Sequence, residues 1–177
     1  MTPSIRGRVW KFGDNISTDL MLPGRITYPV MAGQMSPEEA ATHCMSANRP
    51  GWYKLARSGD IIVGGANFGA GSGRPAHLPL QALGIQVVLA ESVARLFYRN
   101  CINGGFLVIA CPGIGALVEE GDTVDVRLRD GVVSHPGSGR TLTFPALPPD
   151  SPPMEILRAG GLIPYMKARL GLNTNSG

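Results

Sequence analysis

The sequence predicts a mixed α/β fold rich in short strands. Twenty-four glycines and 15 prolines among 177 residues favour turns and irregular connections over long helices. Two short apolar runs, residues 60–64 and 85–90, carry the β-branched residues of buried strands. Between them lies a glycine-rich loop with a helical segment behind it, so the order is strand, loop, helix, strand. Hydrophobic content of 44% against 16% charged is that of a folded chain, and the length suits one domain, expected over residues 1–172.

The elements follow in order. Residues 7–12 alternate as a strand does, and Gly13, Asp14 and Asn15 break the pattern. Ser36 with Pro37, Glu38 and Glu39 marks a helix start, expected to run over 36–47. After the strand at 60–64, residues 67–77 form the glycine loop, and the helix behind it ends before Gly84. Pro75 suits a first helical turn, whereas Pro79 makes that helix short, kinked or late to begin. Residues 91–103 give a second helix, with Val93, Phe97 and Cys101 on one face. Strands are expected at 107–110, 123–128, 132–133 and 141–144, then a terminal helix over 155–170 interrupted by Gly160, Gly161 and Pro164. Residues 173–177 read as a fraying polar tail.

Composition narrows the function. A net charge of +3 with scattered Lys and Arg does not make a nucleic-acid stripe, and small acidic ligands fit better. No run approaches a membrane span, and residues 1–6 lack the apolar stretch of a signal peptide, so a cytoplasmic protein is expected. Cys44, Cys101 and Cys111 are unpaired by any CxxC spacing and read as buried thiols. His43, His77 and His135 lie far apart without the spacing of metal ligands. His77, near the glycine loop, is expected to pack or cap.

The loop Gly69-Ala70-Gly71-Ser72-Gly73-Arg74 holds the chemistry. Successive N–H groups in a tight glycine turn before a helix make a concave positive site for a carboxylate, a phosphate or a developing oxyanion. Arg74 adds a full charge. Those amides would stabilise alkoxide character at Ser72, making it a base for removing a proton beside a carboxylate. The plainer reading makes Ser72 a helix cap and Arg74 a solvated charge. A third reading takes Gly71 to Ala76 as GxGxxA with Glu91 twenty residues on, a dinucleotide fingerprint, although the loop does not follow the first strand.

Three ordered blocks carry a resemblance. They are Phe12-Gly13-Asp14-Asn15-Ile16-Ser17-Thr18-Asp19 through Gly24-Arg25, Asn67-Phe68-Gly69 through Arg95-Leu96-Phe97-Tyr98-Arg99-Asn100-Cys101 to Gly104, and Ile156 through Tyr165-Met166. Together they resemble the small subunit of 3-isopropylmalate dehydratase, in the aconitase superfamily. The resemblance implies a swivelling β/β/α domain that closes over a separate large subunit carrying a [4Fe-4S] cluster, none of it bound by this chain. It implies dehydration and rehydration of a malate-like hydroxy acid, as in leucine biosynthesis. Ser72 would take the proton, Arg74 with Gly71 and Gly73 would bind a substrate carboxylate, and Asp19 with Thr18 would join the network around the leaving hydroxyl. The segment Gly24 to Met31 sits where the family carries a loop facing the substrate's variable group. Arg25 and Tyr28 are its candidate contacts, and packing under the loop is the alternative for Tyr28, Val30 and Met31.

One departure stands out: the family reads Gly-Ser-Ser-Arg-Glu where this chain has Gly71-Ser72-Gly73-Arg74-Pro75. Loss of a hydroxyl and an acid is expected to alter how the substrate is held, and so which malate-like acid is taken. A non-catalytic anion-binding or regulatory module and a dinucleotide-binding protein are the alternative functions. Glu91 and Arg95 are expected to pair along a helix face, and Phe68 to lie on an exposed apolar surface near the loop.

Overall fold

A computed structural model describes residues 4–172, so the expected tail at 173–177 lies outside the described residues. Strand β1 (Ser4–Lys11) leads to helices α1 (Thr18–Met21), α2 (Gly24–Met31), α3 (Pro37–Ala41) and α4 (Trp52–Leu55). Strand β2 (Ile61–Gly64), helix α5 (His77–Ala82), strand β3 (Val87–Ala90), helix α6 (Arg95–Asn103) and strand β4 (Leu107–Ala110) follow. Helix α7 (Ile114–Leu117), strands β5 (Thr123–Arg127), β6 (Val132–His135) and β7 (Arg140–Thr143), and helices α8 (Pro152–Arg158) and α9 (Leu162–Arg169) complete the order.

The seven strands form one sheet in the order β4-β3-β2-β1-β5-β6-β7, parallel from β4 to β1 and antiparallel beyond it. Strands β2 and β3 are buried throughout because both sheet faces are covered. Alternation sends Ile62, Val88 and Val108 to the face under α1–α6, and Ile61, Val63, Leu89 and Ile109 to the face shared with α7 and β5–β7. No described helix is long and apolar enough to cross a membrane.

Parallel pairing of β1 with β2 sets the loops after them side by side. Asn15 N–H donates to the Ala66 carbonyl at 2.8 Å, Gly69 N–H to Ile16 at 2.7 Å and Thr18 N–H to Ala70 at 2.8 Å. Asp14 Oδ1 accepts the Ala66 N–H at 2.7 Å, and Gly65 must lack a Cβ, which would overlap that carboxylate. The site therefore forms at the carboxyl ends of parallel strands, where α/β sheets place their ligands.

Several expectations are corrected. Residues 24–31 form helix α2 rather than a loop. Helix α3 stops at Ala41, although its capping box between Ser36 and Glu39 is as expected. The helix expected from residue 91 begins at Arg95, and Glu91 instead accepts the N–H groups of Gly113 and Gly115 at 2.7 and 2.8 Å, which replaces the pairing with Arg95. Phe68 is fully buried against Phe97 rather than exposed. The terminal helix is interrupted at Gly160 and Gly161 as expected, where φ of +88° and +128° turns the chain between α8 and α9, whereas Pro164 falls in the first turn of α9 and breaks nothing. Around Pro79 the expectation holds: helix α5 is short and begins late, which puts Pro79 in its first turn, where the missing N–H has no helical partner to lose.

Candidate active site

The zipped loops bring Thr18, Asp19, Gly71, Ser72, Gly73 and Arg74 together. Ser17 caps α1 by accepting the Leu20 N–H, which places Thr18 and Asp19 in consecutive positions of its first turn. Thr18, buried at 2% exposure, donates its hydroxyl to the Ser72 carbonyl at 3.1 Å. Gly71 takes φ +112°, and a Cβ there would lie 3.0 Å from Thr18 Oγ1, so only glycine lets the loop approach this closely.

Arg74 organises the cluster. Its Nε donates to Ser72 Oγ at 2.7 Å, and Nη1 donates to Asp19 Oδ1 at 2.8 Å and to the Leu22 carbonyl at 3.0 Å. Nη2 has no acceptor among the described residues and remains available to an anion. Asp19 also accepts the Gly24 N–H at 2.8 Å. That N–H, then the Arg74 guanidinium, holds the Asp19 carboxyl below the usual range, with a smaller contribution from Arg25. Ser72 is thus a hydroxyl whose oxygen already accepts a charged hydrogen bond, an arrangement that favours alkoxide character.

Arg25 and Tyr28 project from α2 and are not part of this hydrogen-bonded cluster. Arg25 Nη2 lies 3.2 Å from His43 Nδ1, and Tyr28 is 73% exposed. Val30 packs into the core while Met31 is 68% exposed, so the segment divides between the two roles expected of it. A cavity of about 280 Å³ beside the loop is lined by Met31, Gly73, Pro75, His77, Asn100, Asn103 and Gly104. His77 is buried there, and burial pushes its pKa down to about 4. It is a packed neutral imidazole.

The loop's amides are not presented by a helix terminus, which corrects one expectation. Helix α5 starts only at His77 and is six residues long. Glu91, the acid of the dinucleotide reading, is engaged with α7, and the loop follows β2. The three cysteines do not fit an iron–sulfur cluster. All are buried, burial pushes the Cys44 and Cys101 thiols far up, and burial with the Glu91 charge takes Cys111 to about 11.

Residues 11–113 match the Aconitase C-terminal domain family. The chain is 47% identical over 171 residues to an isopropylmalate/citramalate isomerase small subunit of Methanocaldococcus jannaschii, covering 96% of this chain and 98% of that one. It is 39% identical to the 3-isopropylmalate dehydratase small subunit of Aquifex aeolicus, again over 96% and 98%. The crystal structure of a 3-isopropylmalate dehydratase from Methanocaldococcus jannaschii superposes with a TM-score of 0.83 at 36% identity, covering 95% of this chain and 96% of that chain. The chain belongs to the 3-isopropylmalate dehydratase small-subunit family.

Within that family fold, Gly73 gains a local explanation. A Cβ at Gly73 would lie 3.0 Å from Leu96 Cδ2 and 3.5 Å from Asn100 Nδ2, so its absence lets the loop settle closely on α6. Asn100 Nδ2 donates to the Gly73 carbonyl at 3.0 Å. Sequence reasoning gave Asn100 and His43 no role at the site. A signal existed for Asn100: asparagine competes with backbone hydrogen bonds and is disfavoured inside a helix, so one in the middle of α6 invites a search for its partner.

Proposed function

We propose that this chain is the small subunit of a heteromeric hydro-lyase that removes and re-adds water across a malate-type hydroxy acid. The observation that carries the reading is Ser72 Oγ held 2.7 Å from Arg74 Nε, with Arg74 anchored on the Asp19 carboxylate. Ser72 Oγ, in its alkoxide form, accepts the proton from the carbon beside a substrate carboxylate. The electron pair left behind forms the carbon–carbon double bond as the hydroxyl on the neighbouring carbon takes up a proton from solvent and departs as water, and Ser72 then returns its captured proton to solvent, which restores the base. Arg74 Nη2 and the loop amides of Gly71 and Gly73 bind the carboxylate whose charge grows as the proton leaves. Asp19 and Thr18 hold Arg74 and the loop in register and border the leaving hydroxyl.

Arg25 and Tyr28 on α2 contact the substrate's variable part. The [4Fe-4S] cluster belongs to the large subunit in this reading, and no group of this chain is assigned to it. Residues 1–172 close as one unit over that partner in the cytoplasm. The relatives reported above make isopropylmalate and citramalate the first substrates to try.

The test is anaerobic reconstitution with the large subunit from the same source, following the unsaturated product from each acid by absorbance. Turnover of one acid by the parent, with a loss of about 10²–10⁴-fold in Ser72→Ala, supports the assignment. An assembled Ser72→Ala complex that keeps parental turnover removes Ser72 as the base.

A further inference from the structure

We infer that Asn100 is a positioning residue for the anion-binding loop, aiming the Arg74 N–H at the reacting carboxylate in concert with Thr18. The inference rests on the proposed function and adds a residue to it. In a trans peptide the carbonyl of one residue and the N–H of the next point in opposite directions, and no described peptide here is cis. Thr18 Oγ1 holds the Ser72 carbonyl at 3.1 Å, which turns the Gly73 N–H away from Thr18. Asn100 Nδ2 holds the Gly73 carbonyl at 3.0 Å, which turns the Arg74 N–H away from α6.

Neither N–H has a protein acceptor among the described residues. Both belong to the short stretch that carries Ser72 Oγ and the Arg74 guanidinium, so the loop offers unspent donors next in the chain to the groups that the proposed function sets against the developing charge. Thr18 belongs to the α1 turn and Asn100 to α6, two elements on opposite sides of the loop in sequence. Glycine at 71 and at 73 lets the backbone pass between them: a Cβ at 71 would press on Thr18 and a Cβ at 73 on Leu96. The clamp fixes two peptide planes through the Thr18 hydroxyl and the Asn100 amide.

Asn100→Asp keeps the side chain's size and replaces the donor with an acceptor that repels the Gly73 carbonyl. Asn100→Ala removes the group. Each is assembled with the large subunit and assayed on isopropylmalate and citramalate, beside the parent and Ser72→Ala, with melting temperature and complex formation measured in parallel. The expected result is a fall in kcat of about tenfold to a hundredfold in both variants, KM within threefold of the parent and melting within a few degrees, since growing transition-state charge feels misaimed donors most. Either assembled variant with kcat within twofold of the parent overturns the inference. So does a loss confined to melting or assembly, and if Asn100→Ala fails to fold, Asn100→Asp decides. Ser72→Ala separates the two ideas: inactive Ser72→Ala with an unimpaired Asn100→Asp sinks the clamp alone, whereas active Ser72→Ala sinks the proposed function.

Discussion

His77 stands at the first turn of α5 with 7% of its surface exposed, its ring lying over Gly104 and its Nδ1 without a hydrogen-bond partner among the described residues. Burial lowers its pKa from 6.5 to about 4, so the folded chain leaves it neutral where the unfolded chain protonates it. Its contribution to stability is intact above about pH 6.5 and is lost as pH falls toward 4, by roughly 3 kcal/mol across that window. His77→Gln is expected to flatten the dependence of melting temperature on pH between 4 and 6.5. An unchanged slope would show that the imidazole already takes up its proton in the folded state. At this scale the residues that the structure clusters, Thr18, Asp19, Ser72 and Arg74, were all singled out from the sequence, Ser72 and Arg74 by the glycine loop and Thr18 and Asp19 by the family resemblance. The partnership of Asn100 with Gly73, 27 positions away, was not, since no local pattern encodes that distance.

The loop after β2 shows how one element inherits its geometry from its neighbours. Gly71 is required twice, by its φ of +112° and by Thr18 Oγ1 lying 3.0 Å from where a Cβ would stand. Gly71→Ala is expected to cost about 1–3 kcal/mol of stability and to lower kcat at least tenfold by shifting Ser72 away from Arg74. Unfolding curves and reconstituted kinetics together check it, and a variant with parental kcat would mean that the loop reaches its working geometry in some other way. Helix α2 makes the complementary point. Its run from Gly24 to Met31 was expected as a loop on the family resemblance alone, but burial of Ile26 and Val30 one turn apart supplies the packing that holds a helix there despite Pro29. The terminal segment resolves the other way, because adjacent glycines with positive φ end α8 before α9 begins.

Across the whole molecule, Asp60 ties together segments far apart in the chain. Buried at 4% exposure, its carboxylate accepts from Arg8 at 2.8 Å, Trp10 Nε1 at 2.7 Å and the Arg57 N–H at 2.8 Å. Burial alone would raise its pKa, but the Arg8, Arg57 and Trp10 hydrogen bonds outweigh it and hold the group ionised. Asp60→Ala strands donors from β1 and the α4 turn, and is expected to destabilise by about 2–4 kcal/mol. Chemical denaturation measures it, and a loss under about 0.5 kcal/mol would mean that water replaces the carboxylate freely. The fold class, the buried strands β2 and β3 and the glycine loop between them were readable from residue order, because periodicity and turn chemistry are local properties, and the family was readable by resemblance from three short motif blocks. Only the tertiary structure decided that β1 joins the parallel and antiparallel halves of one sheet. The same is true of the Arg74 anchor on Asp19, the Glu91 cap on α7 and the Asn100 hold on the loop. Each depends on where chain segments meet in space, which hydrogen-bond satisfaction and packing settle together and no single segment specifies.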